Sequence, residues 1–241
     1  MLRKLLTGIF VVGIFSSATC DPQVMEDVLN SVITPAITEQ QAANGLMEAL
    51  VQGATNGSEA LAMVDGYFKN PQVKIPFPPE AQKIESTLRD LGMNKMCDDV
   101  IQSINRAAED AAAEAKPILI NSIRAMTIND AMDILFGTND AATEYLKKTT
   151  TTELTNKFKP VIDSSLKQVG ATKYWSDAVN YYNKIPLVED LNPDLSAYVT
   201  QKALDGLFYM VEQEELKIRQ DPGARVSQIV KDVFAYYDAN K

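Results

Sequence analysis

A tight corner between two helices is predicted by residues Met126–Thr150, M-T-I-N-D-A-M-D-I-L-F-G-T-N-D-A-A-T-E-Y-L-K-K-T-T. Thr127 and Asp130 have the spacing of a capping box, in which a hydroxyl and a carboxylate accept hydrogen bonds from the unpaired amides at a helix N-terminus. Gly137 is expected to end the first helix in a left-handed conformation, and Thr138, Asn139 and Asp140 are candidate N-caps for the second. The expected apolar face of the first helix consists of Ile128, Met132, Leu135 and Phe136.

Apolar residues recur at helical spacing along nearly the whole chain on both sides of this corner. The clearest pattern begins at a second capping-box spacing, Thr150 with Glu153, and ends at Gly170. Sustained strand alternation is absent from the sequence. We therefore predict an all-α protein, a single irregular multi-helix bundle in which residues 20–241 form one domain.

Two further helical runs carry residues that disfavour helix. Thr38–Met63 contains three glycines, which we expect on or near its surface, and each weakens a helix by roughly 1 kcal/mol relative to alanine. Either tight packing against a neighbouring helix compensates for this weakness, or the helix breaks near Gly57. The run Asn94–Met126 is interrupted by Pro117, where the missing amide proton and the ring predict a kink.

One segment is clearly not helical. Asp65–Pro79, D-G-Y-F-K-N-P-Q-V-K-I-P-F-P-P, is proline-rich, and its prolines favour extended geometry. We interpret it as an extended connector that lies over the core. Its expected anchors are Tyr67, Phe68, Val73, Ile75 and Phe77.

The N-terminus has the layout of a secretory signal, with two basic residues, an apolar run over Leu5–Phe15 and a small polar stretch before Cys20. Because a spanning helix needs roughly 20 apolar residues, this run predicts a cleaved signal over residues 1–19 and not an anchor. Two cleavage sites stay open. Ser16–Ala18 suits signal peptidase, whereas Cys20 stands where a bacterial lipoprotein carries its acylated cysteine, so the chain is predicted to be exported, to the periplasm or as a tethered lipoprotein.

The charge balance excludes two classes of partner. The chain has a net charge of −9, which becomes −11 without residues 1–19, because these hold two cations and no acid. Binding to nucleic acid or to anionic lipid by charge alone requires a basic patch. We therefore predict no nucleic-acid partner, and contact with a membrane only through a lipid at Cys20.

The residue types also restrict the chemistry. The chain contains no histidine, which removes histidine-based nucleophilic catalysis and most zinc or iron sites. Apart from Cys20, the only cysteine is Cys97, which we interpret as a small buried core residue. Phosphate-binding loops, dinucleotide fingerprints and calcium loops are missing from the sequence as well. No metal and no cofactor are predicted, and carboxylates, lysines, tyrosines and hydroxyls remain for catalysis.

Charged residues within apolar stretches are the candidate binding residues. Asp205 has apolar sequence neighbours and is expected to be partly buried, so that it needs a partner or a raised pKa. Glu215 lies on the predicted core stripe of the same helix, where Arg219 four residues on is its simplest partner and Arg225 a further one. Buried ion pairing that fixes helix packing is the favoured role, ahead of ligand binding and of acid/base catalysis. The remaining candidates are Arg106 and Glu109, an i,i+3 pair on an alanine-rich helix.

Several of these segments together resemble the bacterial domain-of-unknown-function 4197 family. They are the connector, the corner stretch, N-R-A-A-E from Asn105, A-L-D-G-L-F-Y from Ala203, E-E-L-K-I-R from Glu214 and D-P-G-A-R from Asp221. The resemblance covers roughly residues 45–234. It implies an exported helical protein of bacteria, and it implies neither an activity nor catalytic residues.

Three functions are compatible with these features. Export and the lack of a catalytic constellation favour a non-enzymatic envelope protein that binds an unknown partner protein or a small ligand. Amphipathic helices and nine methionines suit a carrier of a lipid or other apolar ligand. A carboxylate-dependent hydrolase of an envelope polymer is the third hypothesis, with Asp205, Glu109 and Glu215 as its candidate acids.

Overall fold

The computed structural model describes residues 37–168, 170–183 and 194–240, and within them the chain forms nine α-helices and no strand. The predicted all-α bundle is confirmed. The predicted signal peptide and Cys20 lie outside the described residues. The helices are α1 (Glu39–Ala62), α2 (Gln82–Asp90), α3 (Asn94–Ala112), α4 (Ala115–Arg124), α5 (Ile128–Leu135), α6 (Ala141–Gln168), α7 (Ala171–Tyr182), α8 (Leu195–Gln220) and α9 (Gln228–Asn240).

Helices α1, α6 and α8 are the centre of the bundle. α8 packs against both α1 and α6, α3 packs against all three, and α9 packs on α1. The core between them is aliphatic and alanine-rich, and the side chains of Leu46, Ile104, Phe158 and Leu207 are all at most 1% exposed. None of the helices in the described part of the chain is long and apolar enough to cross a membrane.

The glycines of α1 are buried and do not lie near the surface as the sequence suggested. A β-carbon at Gly45 would collide with the side chain of Val233 in α9, and one at Gly57 would lie 3.4 Å from the backbone of Met210 in α8. The collision at Gly45 shows that α9 packs too closely on α1 for a β-carbon, and the packing of α1 against α8 and α9 offsets the weak helix propensity of glycine. α1 is therefore continuous through Gly57, and the alternative break near that residue is wrong.

The interruption expected at Pro117 lies before it. α3 ends at Ala112 and α4 begins at Ala115, so that Pro117 sits in the first turn of α4. A proline ring clashes with the carbonyl four residues earlier, which here belongs to Ala113. The helix consequently ends beside the clashing carbonyl, and two distinct helices replace one kinked helix.

The corner between α5 and α6 forms as predicted, although two of its details differ. The capping box of Thr127 and Asp130 is present, whereas Gly137 is not left-handed. Glycine is required at position 137 because there is no room for a side chain: a β-carbon there would lie 2.8 Å from the Asp133 carbonyl oxygen. The buried face of α5 is Ala131, Ile134 and Leu135, and both Ile128 and Phe136 are exposed, by 38% and 42%.

α6 is one helix from Ala141 to Gln168, so that the second capping box predicted at Thr150 is wrong. The Thr150 hydroxyl instead donates to the Leu146 carbonyl within the helix, at 2.6 Å. The helix ends before Gly170, which adopts φ +69° as expected.

The proline-rich connector lies over the core, as predicted. Its residues 65–69 and 71–73 form turns, with the Lys69 amide bound to the Asp65 carbonyl and the Lys74 amide to the Asn70 carbonyl, so the extended geometry expected for the whole segment is wrong for its first part. Tyr67, Val73, Ile75 and Phe77 are buried, and Phe68 is half-buried. The Tyr67 hydroxyl donates to the Ala203 carbonyl of α8 at 2.6 Å, and the Phe77 ring packs 5.7 Å from the Trp175 ring of α7. The connector is thereby fixed along α8.

Candidate functional site: the exposed face of helix α8

Glu215 holds the start of α6. Its carboxylate accepts hydrogen bonds from the amides of Ala142 at 3.0 Å and Thr143 at 2.9 Å, and from the Thr143 hydroxyl at 2.9 Å. These amides belong to the first helical turn, where no intrahelical acceptor is available. A carboxylate at this end also interacts favourably with the helix dipole.

Arg219 holds the end of α5. Its guanidinium donates to the Ile134 carbonyl at 2.8 Å and the Leu135 carbonyl at 3.1 Å, which are terminal acceptors of that helix. The same group forms an ion pair with Glu215 at 3.0 Å, as the sequence predicted, and both side chains are at most 3% exposed. Glu215 and Arg219, hereafter the corner clasp, therefore bind both sides of the α5–α6 corner to α8.

Arg225 does not contact Glu215, in contrast to the sequence-based suggestion. It donates to the carbonyls of Ile218 and Arg219 at 3.0 and 2.9 Å, at the end of α8. It also forms an ion pair with Asp238 of α9 at 3.3 Å. Arg225 thus joins the C-termini of two helices, and it is 6% exposed.

A second polar group fixes the connector to α3. Glu109 accepts hydrogen bonds from the amides of Tyr67 and Phe68, both at 3.1 Å, and pairs with Arg106 at 2.5 Å. The predicted Arg106–Glu109 pair is therefore present. One turn earlier, the side-chain amide of Asn105 donates to the Ile75 carbonyl and accepts from the Ile75 amide, both at 2.8 Å. Asn105, Arg106 and Glu109 form the connector clasp.

Arg106 also pairs with Asp65, the one non-glycine residue of the described chain with positive φ, at +72°. Hydrogen bonds from Lys69 and then from Arg106 hold the pKa of the Asp65 carboxyl below its usual value, because they stabilise its charged form. The unusual backbone angle occurs where the chain leaves α1 and turns into the connector, and Arg106 helps to hold it.

Asp205 is exposed, and the expectation of partial burial is wrong. Its side chain is 49% exposed and accepts hydrogen bonds from Gln201 at 2.9 Å and Lys202 at 3.0 Å. Its neighbours are buried because the connector covers one side of α8 and α6 the other. Asp205 lies on the exposed strip of α8 between these two contacts. Its apolar neighbours in sequence therefore did not reveal that its side chain faces solvent.

Two open grooves flank this strip. The connector groove, about 470 Å³, lies between the connector and α8. The α6 groove, about 330 Å³, lies between α6 and α8. Asp205 and Tyr209 line both grooves, and together these residues and the two grooves are called the α8 surface. The connector groove is further lined by Gln72, Lys74, Tyr198 and Lys202, and the α6 groove by Lys147, Thr151, Gln201 and Glu212, among others.

The floors of both grooves are apolar and their rims are polar. Val73, Ile75 and Phe77 form the buried side of the connector groove, and Leu204 and Phe208 that of the α6 groove. At the α6 groove, a hydrogen bond to Glu144 raises the pKa of the Lys147 ammonium group. Such a lining suits binding by apolar contact with a few polar groups for orientation.

The described residues contain no group of three histidine, cysteine, aspartate or glutamate side chains that could hold a metal ion. Cys97 is buried as predicted, and burial raises the pKa of its thiol, which disfavours the reactive thiolate.

The sequence of residues 36–235 matches the model of a family described as "Protein of unknown function (DUF4197)". The chain belongs to this family. No curated protein and no solved structure matched the chain.

In this DUF4197 protein, the segments that carried the resemblance have distinct structural tasks. N-R-A-A-E supplies the connector clasp, E-E-L-K-I-R supplies the corner clasp, and A-L-D-G-L-F-Y supplies the α8 surface. Gly206 in the last segment is packed against the connector, because a β-carbon there would lie 2.7 Å from the Tyr67 ring. Tyr198, Lys74 and Gln72 were not singled out from the sequence, because their convergence depends on how the connector crosses α8.

Proposed function

We propose that this DUF4197 protein is an exported, non-enzymatic module of the bacterial cell envelope that binds a partner protein through the α8 surface. The main support is the contrast among the candidate residues. Glu215, Arg219, Arg225 and Glu109 are buried and use their polar atoms within the fold, whereas Asp205 lies exposed between two open grooves.

The hydrolase hypothesis draws no support from these contacts. A general acid or base must reach the proton that it transfers. Both oxygens of Glu215 and of Glu109 accept hydrogen bonds from protein groups, and the two side chains are 3–4% exposed. Their role is to satisfy amides and arginines inside the bundle.

A photo-crosslinking experiment in the native host tests the proposal. p-Benzoylphenylalanine replaces Gln72 in the connector groove or Gln201 in the α6 groove, and the matched control carries it at the exposed Lys173 of α7. We expect a covalent adduct of one discrete protein mass from a groove position, absent from the control and lost on Tyr209→Ala. Identical adducts at all three positions, or none, would overturn a partner site at this surface.

The carrier of a small apolar ligand remains a second candidate, because both groove floors are apolar and about 470 Å³ falls in the size range of ligand pockets. Native mass spectrometry of the protein purified gently from its envelope fraction separates the two candidates. A bound small-molecule mass favours the carrier, and a bare chain favours the interaction module.

The same sample, denatured, tests the proposed export. A chain that begins at Thr19 identifies a soluble exported form. A mass increment of diacylglycerol size that is lost in Cys20→Ser identifies a lipoprotein tethered to a membrane. Full-length chain that begins at Met1 would contradict export.

A further inference from the structure

The connector groove has one wall formed by the connector, hereafter the connector wall, and one helical wall. Along residues 72–77, buried and exposed side chains alternate, with Val73, Ile75 and Phe77 directed to the core. The opposite wall is a stripe of α8 that runs from Tyr198 to Tyr209. At 1.5 Å per residue, these two tyrosines lie about 16 Å apart along the helix axis, a length that about five residues of extended polyproline-type peptide would span.

The backbone of the connector wall already has hydrogen-bond partners at Ile75 and Pro76. Asn105 binds both the amide and the carbonyl of Ile75, Pro76 has no amide proton, and the Pro76 carbonyl accepts from the Tyr198 hydroxyl at 3.2 Å. A peptide therefore cannot extend this segment as an added strand at these residues. Recognition in this groove depends on side chains and on the apolar floor.

The rim of the connector groove carries a lysine that has no ion pair among the described residues. Lys202 pairs with Asp205, whose two oxygens are both engaged. Lys74 is exposed, forms no ion pair with any described residue, and rests with its ammonium 4.6 Å from the centre of the Phe68 ring. This cation–π contact holds the charge near one position at the rim without neutralising it. In an acidic protein, a lysine that no described carboxylate neutralises, beside an apolar floor, favours a ligand with a carboxylate next to apolar groups.

We propose that the connector groove binds an extended peptide segment of a partner protein, about five residues long, in which an acidic residue that pairs with Lys74 is flanked by apolar residues. The proposal rests on the proposed function and specifies the class of partner. Tyr198 and Tyr209 supply the aromatic ends of the groove, against which the apolar residues of such a peptide can pack.

Selection from a random twelve-residue peptide library displayed on phage, against the immobilised full mature chain, tests the inference. We expect the enriched peptides to share a glutamate or aspartate between apolar residues. Enrichment of neutral or basic peptides alone would overturn it.

Fluorescence anisotropy with one enriched peptide then locates the carboxylate. Lys74→Gln and the replacement of the peptide acid by its amide should each weaken binding about two- to fivefold, the range for an exposed ion pair, and together no more than either alone. Lys157→Gln is the matched control, because Lys157 is an exposed lysine of α6 that lines neither groove and has no ion pair with described residues. It should leave binding unchanged.

The two proposals fail in different ways. If Tyr209→Ala abolishes peptide binding while Lys74→Gln has no effect, the α8 surface binds peptides and the inference about the carboxylate is wrong. If neither substitution alters binding, the α8 surface is not the peptide site, and the proposed function loses its site as well. Circular dichroism melting curves that match the unmodified chain ensure that each variant is folded.

Discussion

Two of the ion pairs within helix α8 have nearly the same sequence spacing and opposite consequences. Lys202–Asp205 is an i,i+3 pair whose side chains are 43% and 49% exposed, and Glu215–Arg219 is an i,i+4 pair whose side chains are 3% and 2% exposed. In the exposed pair, the Asp205 carboxylate accepts hydrogen bonds from Lys202 and from Gln201, which belong to the same helix. The buried pair binds the ends of two other helices.

The difference shows what burial adds to a charge pair. In water an ion pair gains little, because solvent and salt screen the attraction. Inside the bundle each polar atom of Glu215 and Arg219 must find a partner, and the nearest unsatisfied groups are the orphan amides of α6 and carbonyls of α5. A local pair thereby becomes a tertiary contact among three helices.

The difference between the two pairs is tested most directly by removing one member of each pair. Glu215→Ala leaves a buried arginine and the first amides of α6 without an acceptor, and it should lower the free energy of unfolding by about 3–5 kcal/mol. Urea denaturation followed by circular dichroism measures the loss. If the alanine variant does not fold, Glu215→Gln, which keeps one acceptor oxygen, should fold with a smaller loss.

If Glu215→Ala lowers the free energy of unfolding by less than about 1 kcal/mol, the corner clasp contributes no more than an ordinary exposed ion pair, and burial does not distinguish the two pairs.

A second test asks whether the N-terminal half of α8 is held by its inner face and not by its ion pair. Gly206→Ala puts a β-carbon 2.7 Å from the Tyr67 ring and 3.2 Å from Val73. Overpacking costs about 1–3 kcal/mol and should exceed the gain of roughly 1 kcal/mol in helix propensity, so that Tm falls.

Gly53→Ala is the matched control for this test, because its nearest contact would be an ordinary 3.4 Å to Glu214. That substitution should leave Tm unchanged or raise it. An equal fall in both variants would point to general glycine effects and not to the contact with the connector.

A third test compares the corner clasp with the exposed cap at the other end of α5. The backbone amide and then the hydroxyl of Thr127 donate to Asp130 and hold the pKa of its carboxyl below the usual value. The unfolded chain therefore takes up this proton first, and the contribution to stability is present above pH of about 4 and is lost as pH falls through the folded pKa.

Asp130→Asn should accordingly flatten the fall of unfolding free energy with decreasing pH below pH of about 4, measured by urea denaturation at several pH values. The slope near neutral pH should stay as in the unmodified chain. An unchanged slope in acid would contradict a depressed pKa of Asp130.

The smallest effect is expected for the exposed member of the comparison. Asp205→Ala removes a pair that solvent screens, and the free energy of unfolding should change by less than about 0.5 kcal/mol. A loss as large as that of Glu215→Ala would mean that Asp205 has a structural role, and it would weaken its assignment to the α8 surface.

Much of the fold could be predicted because its signals are local. The capping box at Thr127, the left-handed Gly170 and the proline-fixed connector each depend on residues within a few positions. The predictions failed where two local signals of similar strength favoured different structures. Thr150 and Glu153 have the spacing of a cap, but α6 continues through them because Leu146, Leu154 and Phe158 are buried on one side of the same helix.

The candidate site was harder to predict, since its residues come from separate segments. Glu215 and Arg219 were paired correctly because i,i+4 neighbours meet on any helix. Their contacts with Thr143 and Ile134 could not be found in the same way, because these lie more than 70 positions away. The prediction that Asp205 is partly buried failed for a related reason. Apolar neighbours show that a helix packs against others, but they do not show which of its sides remains exposed.

The sequence by itself determined that the chain is helical, where its connector lies and which pairs share a helix face, because hydrogen bonding and side-chain periodicity within a helix act over a few residues. Only the tertiary structure decided which charges become buried clasps and which remain on the α8 surface. Burial depends on the elements that pack from either side, and a charge in the interior is retained only where those elements supply its partners.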